Sequence, residues 1–332
     1  MRTVNLGILG SGLAVEYLHL PALRRLENEF QITMLCDSER QNADHIADLL
    51  GHEVAITHDW NELFASDQVE AVLISLPIHL NAEAIRAAAA AGKHVICEKP
   101  LASNLPQAEA LVHDLRHASV KILLAENYHY RHDLKQARAW LDGGEIGKPV
   151  IIATQLMLWS DTDQGFASTP WRHDHQYRGA FIADAVVHQA ALMRELGGEI
   201  ESVHAFVKDI HPVLNGYDSM VLNLRFKSGI LGTLAVSGAV RVPDGYIERT
   251  LIVGDGGSIE IRKESMTLHK HDAEPQDYRN DDPRGFVAEF RNFYNAIVHD
   301  EPIVGTLEQA LHDWRVIMRA LDAAEGTQVV RV

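Results

Sequence analysis

The sequence predicts an α/β protein in two parts: a doubly wound parallel sheet, then an α+β domain with a large, mostly antiparallel open sheet. Three observations lead there. The first 125 or so residues alternate short apolar runs with amphipathic or Ala-rich segments, the order of a parallel sheet whose crossovers are helices. Beyond "AENYHYRHD" the apolar runs lengthen and alternate with period two between Gly-rich turns, as in an antiparallel or mixed sheet with one covered face. A chain of 332 residues also exceeds one ordinary core and suits two domains, placed here at 1–125 and 126–332.

In the first domain, strands are expected at "TVNLGIL", "FQITMLCD", "VEAVLISLP", "HVICE" and "VKILLAE". Helices are expected from Val15 to Asn28, Gln41 to Leu50 and Asn81 to Ala91. The Ala87 to Ala91 run must pack closely against something, and Gly92 is suited to stop it. In the second domain a helix from about Leu134 to Leu141 precedes the turn-rich "GGEIGKP". Alternating runs follow at "VIIATQLML", "VHAFVKDI", "SMVLNLRF", "GILGTLAVSGAV" and "ERTLIVGDGGSIEI". The tail reads as two amphipathic helices broken near Pro302, able to pack back on the first domain, and a short strand in "TQVVRV".

Composition excludes several function classes. Hydrophobic content of 46% and charged content of 23% belong to a soluble globular chain, not a disordered one. A net charge of -16 argues against a nucleic-acid surface, which needs clustered Lys and Arg. No apolar run approaches the roughly 20 residues that a bilayer requires. The chain enters a strand directly from "MRTVNLGILGSG", so neither membrane span nor signal peptide is expected, and the cytoplasm is the expected compartment. Cys36 and Cys97 lie in apolar runs and read as small buried hydrophobes. Among 19 histidines, His113 and His117 have helical spacing. They lack carboxylate or cysteine partners at metal-site spacing, so no metal is expected.

The first strand runs into "GSGLAV". Gly10, Ser11 and Gly12 supply the first two glycines of a dinucleotide fingerprint, one for the tight turn and one for close approach of a pyrophosphate. A helix opening at Leu13 points its amides at the phosphates. The third position, usually Gly or Ala, is Val15. Asp37 ends the second strand 27 positions after Gly10, where an acidic residue bonds the adenosine ribose hydroxyls; capping of the next helix is its other possible role. A carboxylate there favours NAD over NADP, although Ser38 and Arg40 could serve a phosphate.

"HVICEKPLASN" then sets Glu98, Lys99 and Pro100 at the end of an apolar strand. Alone, this reads as a surface turn with a solvated ion pair. Taken with "GILGSG", "LISLPIHLNAEAIRAAAAAGKHVICEKPLA", "AENYHYR", "GEIGKP", "WR", "GAFIADAVVH" and the closing "F..EF..F..AI" helix, it resembles the glucose-fructose oxidoreductase / inositol dehydrogenase family (Gfo/Idh/MocA). The resemblance covers essentially the whole chain and implies a Rossmann domain followed by a substrate-binding domain. It also implies that Lys99 is the nicotinamide-side lysine, Asp184 the substrate-binding aspartate and His188 the proton-transfer residue. An i, i+4 pair projects from one face of a helix, so "IADAVVHQA" lets Asp184 and His188 converge on one substrate. Histidine has the pKa to take a hydroxyl proton near neutrality, and lysine can hold a developing alkoxide.

Further residues follow from the same resemblance. Leu76, Pro77 and His79 correspond to the loop over adenine and ribose, while Glu98 and Asn127 belong near the nicotinamide ribose. Trp171 and Arg172 match a pair at the cofactor-substrate junction of some sugar-reducing relatives. Tyr128 is a candidate for substrate binding and Arg131 for lining the pocket, with surface or core roles as the alternatives. The chain departs from the family pattern at Asn81, often histidine, and at Ala191, often aspartate; the Lys-Pro bond is commonly cis.

The sequence thus reads as an NAD-dependent oxidoreductase interconverting a secondary hydroxyl and a ketone or aldehyde on a sugar, sugar derivative or cyclic polyol such as inositol. The resemblance implies a homodimer or homotetramer joined through the open sheet. Two rivals share the fold: a non-catalytic dinucleotide-sensing regulator, and a glycoside hydrolase using tightly held NAD transiently. Specificity is assigned to loops 160–178 and 210–218, which name no particular substrate.

Overall fold

The short apolar runs near the N-terminus pair into a six-stranded sheet in which every strand runs the same way. A computed structural model describes residues 2–263, 265–279 and 282–332. The strands are β1 Val4–Leu9, β2 Phe30–Cys36, β3 Ala55–Thr57, β4 Ala71–Ile74, β5 His94–Glu98 and β6 Ile122–Ala125. Their order is β3-β2-β1-β4-β5-β6, the doubly wound arrangement that reverses direction between β1 and β4. All four residues of β4 are buried, because helices cover both faces of such a sheet and no strand face is left for water.

The crossovers are α1 Leu20–Arg24, α2 Arg40–Leu50, α3 Trp60–Ala65, α4 Ile78–Ala90 and α5 Leu105–Leu115. The first is shorter than its pattern predicts. It opens in wide π-type turns over Val15–His19 and its α-helical part ends at Arg24. The widening falls where Val15, fully buried, occupies a position usually kept small. Helix α4 starts three residues earlier than expected, since Pro77 supplies the extended residue ahead of it. The sequence reading passed over β3, α3 and α5. The first two are three and six residues long, too short for periodicity; the helices are marked instead by caps. Asp59 accepts from the Asn61 amide and Asn104 from the Gln107 amide.

The longer alternating runs form a second sheet, preceded by α6 His132–Asp142. Its strands are β7 Pro149–Leu158, β8 Ile200–Lys208, β9 Ser219–Phe226, β10 Leu231–Ser237, β11 Tyr246–Gly254, β12 Gly257–Arg262, β13 Met266–Lys270, β14 Gln276–Tyr278 and β15 Val330–Arg331. They lie in the order β14-β13-β12-β11-β7-β10-β9-β8-β15. Every pair is antiparallel except β7 with β10. The run "ERTLIVGDGGSIEI" divides into β11 and β12 around Asp255 and Gly256. Between β7 and β8 the chain forms α7 Ala180–Ala185 and α8 Val187–Gly197. Helix α8 covers one face of the sheet: Thr154 Oγ1 on β7 donates to Met193 Sδ on α8 and lies 3.1 Å from Thr250 Oγ1 on β11. Ile151, Leu231 and Val253 are exposed on the other face and pair in register across β10, β7 and β11.

The tail forms α9 Phe286–His299 and α10 Leu307–Gly326. The chain forms two compact units, one comprising Met1–Asn127 with Phe286–Leu311 and the other Tyr128–Gly285 with His312–Val332. Within the first unit α9 sets aromatic side chains against β2: Phe30 stacks on Phe293 at 6.3 Å and meets Phe290 edge-on at 5.9 Å. Within the second, Asp313 on α10 accepts from Arg194 Nη1 at 2.5 Å and lies 2.7 Å from His129 Nε2. Among the described residues no helix is long and apolar enough to cross a membrane.

Phe290 is fully buried, so Phe290→Ala should destabilise the first unit by about 3–5 kcal/mol through lost transfer energy and a residual cavity. Urea unfolding followed by circular dichroism measures this. An unchanged midpoint would contradict the packing of α9 on β2.

Candidate active site

In a parallel sheet the carboxyl ends of all strands share one edge, and ligands of open α/β folds bind there. At that edge Gly10 follows β1 with φ +89°, a backbone conformation L-residues avoid. A Cβ on Gly10 would stand 2.2 Å from the Ser75 carbonyl oxygen, whereas one on Gly12 would meet nothing within 4 Å. One glycine is therefore demanded by neighbouring backbone, and the other leaves open room where a pyrophosphate fits. The Ser11 side-chain hydroxyl is buried and has no hydrogen-bond partner among the described residues. Leu13 opens the helical turn beyond.

Asp37, just past β2, grips this turn directly. Its Oδ2 accepts from the Ser11 amide at 2.7 Å, and its Oδ1 accepts from the Glu39 amide at 2.8 Å. Leu76 and Pro77 link β4 to α4, and His79 lies in that helix's first turn; a Cβ on Gly10 would approach Leu76 Cδ2 to 3.2 Å. The fingerprint turn, Asp37 and the Leu76–Pro77 loop thus converge within the first unit. A glycine cradle with an acidic residue beside it is a donor set that fits a dinucleotide.

Glu98 ends β5 at the same edge, Lys99 follows it, and the Lys99–Pro100 peptide is cis. Asn81, fully buried on α4, donates from Nδ2 to the Glu98 carbonyl at 3.0 Å and to the Pro100 carbonyl at 2.9 Å. One amide thereby holds the backbone on both sides of Lys99. The Lys99 N–H donates to Glu98 Oε2 at 3.0 Å, and Glu98 Oε1 lies 2.9 Å from Nε2 of the fully buried His19. Asn127, buried, begins the 3-10 turn after β6.

The remaining candidates belong to the second unit. Arg172 Nε donates to Asp184 Oδ2 at 2.7 Å, while its Nη1 donates to the Phe166 carbonyl and to Thr169 Oγ1. The same guanidinium lies 4.0 Å over the Trp171 ring. Asp184 and His188 do not share one continuous helix: Asp184 is on α7, His188 is on α8, and the helix breaks at Val186. Ala191 is completely buried, so that departure from the family pattern is a core position. The Tyr128 ring stacks on His188 with centroids 5.0 Å apart and planes 20° apart. Arg131, a pocket candidate, is buried and paired with Asp133 through two hydrogen bonds, with its guanidinium 4.6 Å from the Tyr128 ring centre.

Two groups here escaped the sequence reading. Glu248 on β11 accepts from the Tyr128 hydroxyl at 2.7 Å and from the Tyr246 hydroxyl at 2.7 Å. The signal for it was phase: Tyr246, Glu248, Thr250 and Ile252 alternate onto one face, and the last two are buried. Tyr177 is the other. Burial first, then the nearby Asp184 charge, push its phenol well above the usual tyrosine range, and its hydroxyl has no hydrogen-bond partner among the described residues. Burial likewise pushes the Cys36 thiol up to about 12 and the Cys97 thiol upward, so neither thiol is a nucleophile at neutral pH. Among the described residues no three His, Cys, Asp or Glu side chains gather as a metal site.

Asp37→Ala removes both the carboxylate expected to meet the ribose and the acceptor for the Ser11 amide. Titration by protein-to-cofactor fluorescence transfer should show wild-type protein binding NADH more tightly than NADPH. The variant should bind NADH more weakly, with that preference narrowed or inverted. Wild-type binding of NADPH tenfold tighter than NADH, about 1.4 kcal/mol, would overturn the expected role of Asp37.

Comparison with known proteins agrees with this architecture. Residues 4–126 match the Gfo/Idh/MocA oxidoreductase family, described as having an NAD-binding Rossmann fold, and residues 134–260 match a Gfo/Idh/MocA C-terminal domain. A solved oxidoreductase from Thermotoga maritima superposes with a TM-score of 0.92 at 30% identity, covering 99% of this chain and 98% of that one. A curated relative from Thermotoga maritima, myo-inositol 2-dehydrogenase, is 27% identical over 80% of this chain and 78% of its own length. A solved levoglucosan dehydrogenase in complex with NADH and levoglucosan shares the fold, with a TM-score of 0.90 at 20% identity over the whole of both chains. The chain, with its NAD-binding Rossmann sheet and its second mixed sheet, belongs to the Gfo/Idh/MocA family of oxidoreductases.

Proposed function

We propose that this protein is an NAD-dependent dehydrogenase that interconverts a secondary hydroxyl and a ketone on a sugar, sugar derivative or cyclic polyol such as inositol. The observation that carries the reading is the stack of Tyr128 on His188, which orients an imidazole in the unit that also holds Asp184. NAD, when bound, supplies the hydride acceptor. His188 takes the hydroxyl proton as the carbon is oxidised, and Asp184, held by Arg172, accepts a hydrogen bond from a substrate hydroxyl. Lys99, whose flanking carbonyls Asn81 holds, supplies positive charge to the developing alkoxide. The names of the myo-inositol and levoglucosan dehydrogenases support a carbohydrate or polyol substrate.

A homodimer or homotetramer, working in the cytoplasm, is part of the same reading. The exposed row Ile151, Leu231 and Val253 is apolar surface that a second copy would cover. Leu231→Glu in that row should shift the mass measured by light scattering after size exclusion toward the monomer. An unchanged oligomer, or a wild-type monomer, contradicts the assignment.

The catalytic test follows NADH appearance and aglycone release on one panel of sugars, glycosides and inositols. His188→Asn should fold and bind NADH while turnover falls by roughly 100- to 10,000-fold, the usual worth of a positioned general base. Lys99→Met should slow turnover and also weaken cofactor binding. Near-normal dehydrogenase turnover of His188→Asn would place the proton acceptor elsewhere. Release of aglycone without NADH, or no turnover on any compound, would favour the hydrolase or the regulator.

A further inference from the structure

Glu248 is a charged residue on a strand face that otherwise carries buried or half-buried groups. Its two oxygens have separate phenol donors: Oε1 accepts from Tyr128 and Oε2 accepts from Tyr246, both at 2.7 Å. Arg131 Nη1 stands 3.5 Å from Oε1. Burial opposes its charge, but Tyr246, Arg131, Tyr128 and His188 together hold the carboxyl below the usual glutamate range. Glu248 is therefore ionised at neutral pH. Tyr128 sits in the opposite condition: burial first, and then Glu248, push its phenol far above the usual range, with Arg131 opposing. Its hydroxyl stays protonated and donates to the carboxylate while its ring lies against the His188 imidazole.

We propose that Glu248, acting through Tyr128, is a positioning residue for His188: it fixes the plane of the imidazole and stabilises the imidazolium that forms when a substrate hydroxyl yields its proton. The inference rests on the reading of His188 as proton acceptor. A phenol that donates to a carboxylate has a more electron-rich ring, and such a ring attracts a cation on its face. The carboxylate itself adds direct attraction. The surrounding charges reduce this without removing it. Arg131 divides its guanidinium between Asp133, through two bonds, and Glu248, 3.5 Å from Oε1, and Arg284 adds positive charge at Tyr246; Glu248 stays ionised among them.

Glu248→Gln keeps the shape and hydrogen-bonding capacity but loses the charge. In protein labelled with 13C at histidine, the NMR resonance absent from His188→Asn identifies His188 among the 19. At a fixed pH that resonance should move in Glu248→Gln and in Tyr128→Phe, which keeps the ring and cuts the link, and Glu248→Asp should restore most of its wild-type position. With myo-inositol and levoglucosan as probes, kcat should fall about tenfold in Glu248→Gln, the order of a coupling between neighbouring groups, while KM for NAD stays unchanged. An identical His188 resonance in wild type and Glu248→Gln overturns the proposal, and an unmoved resonance in Tyr128→Phe does so should the Gln variant fail to fold. A moved resonance in a protein that turns over no substrate supports the coupling, and the proton-acceptor reading alone then fails.

Discussion

Strands that all run the same way end at the same edge, and the first unit is organised by that constraint. Beyond each strand end the backbone loses its ladder partner, and buried backbone groups must find another. The chain solves this locally and repeatedly. The Gly10 amide donates to the Cys36 carbonyl and the Ser75 amide donates to the Leu9 carbonyl. The Ser11 amide donates to Asp37, and the carbonyls on either side of Lys99 accept from Asn81. Each device fixes the backbone of one loop. A rim of fixed backbone at the carboxyl edge of an NAD-binding Rossmann sheet is the consequence. The site is thus a by-product of ending a parallel sheet cleanly, refined by which residue stands at each end.

The second unit faces a different problem, which is charge placed under a sheet. A buried carboxylate is costly unless donors surround it. Two consecutive residues of one 3-10 turn supply such donors in two directions: Tyr128 reaches Glu248 on β11 and His129 reaches Asp313 on α10. Arg194, on the same helix as His188, completes the second pairing. The turn that opens this unit therefore fastens the helix bearing His188 from both sides. Truncating either carboxylate would strand a buried donor and loosen the orientation of α8.

Local devices were legible in the sequence, and distant pairings were not. The glycine turn is encoded within a few residues and Asp37 by its place at the end of the next strand, whereas Glu98-Lys99-Pro100 became legible only through the resemblance of the whole chain. Glu248 meets Tyr128 across 120 positions and Asp313 meets His129 across 184; no spacing rule connects such partners. The parallel pairing of β7 with β10 is hidden for the same reason, since alternation reports a covered face but not its neighbour. The break at Val186 between Asp184 and His188 is invisible to helical spacing, because Ala, Val and His continue a helix as readily as they end one. Phase was the one usable signal that went unread, with Glu248 in step with buried Thr250 and Ile252.

The protonation states of these groups also discriminate between the two side chains that could receive a proton in the proposed reaction. Tyr128 is already a donor, its proton committed to Glu248 and its phenol pushed upward by burial and by that same carboxylate. Accepting a second proton is chemically closed to it, and losing its own would put two negative charges side by side in a dry site. In the proposed reaction, a positive charge on the His188 imidazole would face the Tyr128 ring, whose hydroxyl donates to the ionised Glu248. Two other carboxylates of the unit are paired with arginines: Asp184 with Arg172, and Asp133 with Arg131. The proposed assignment of proton acceptance to the imidazole rests on this difference between the two side chains, with Glu248 placed behind Tyr128 and Tyr128 against the ring.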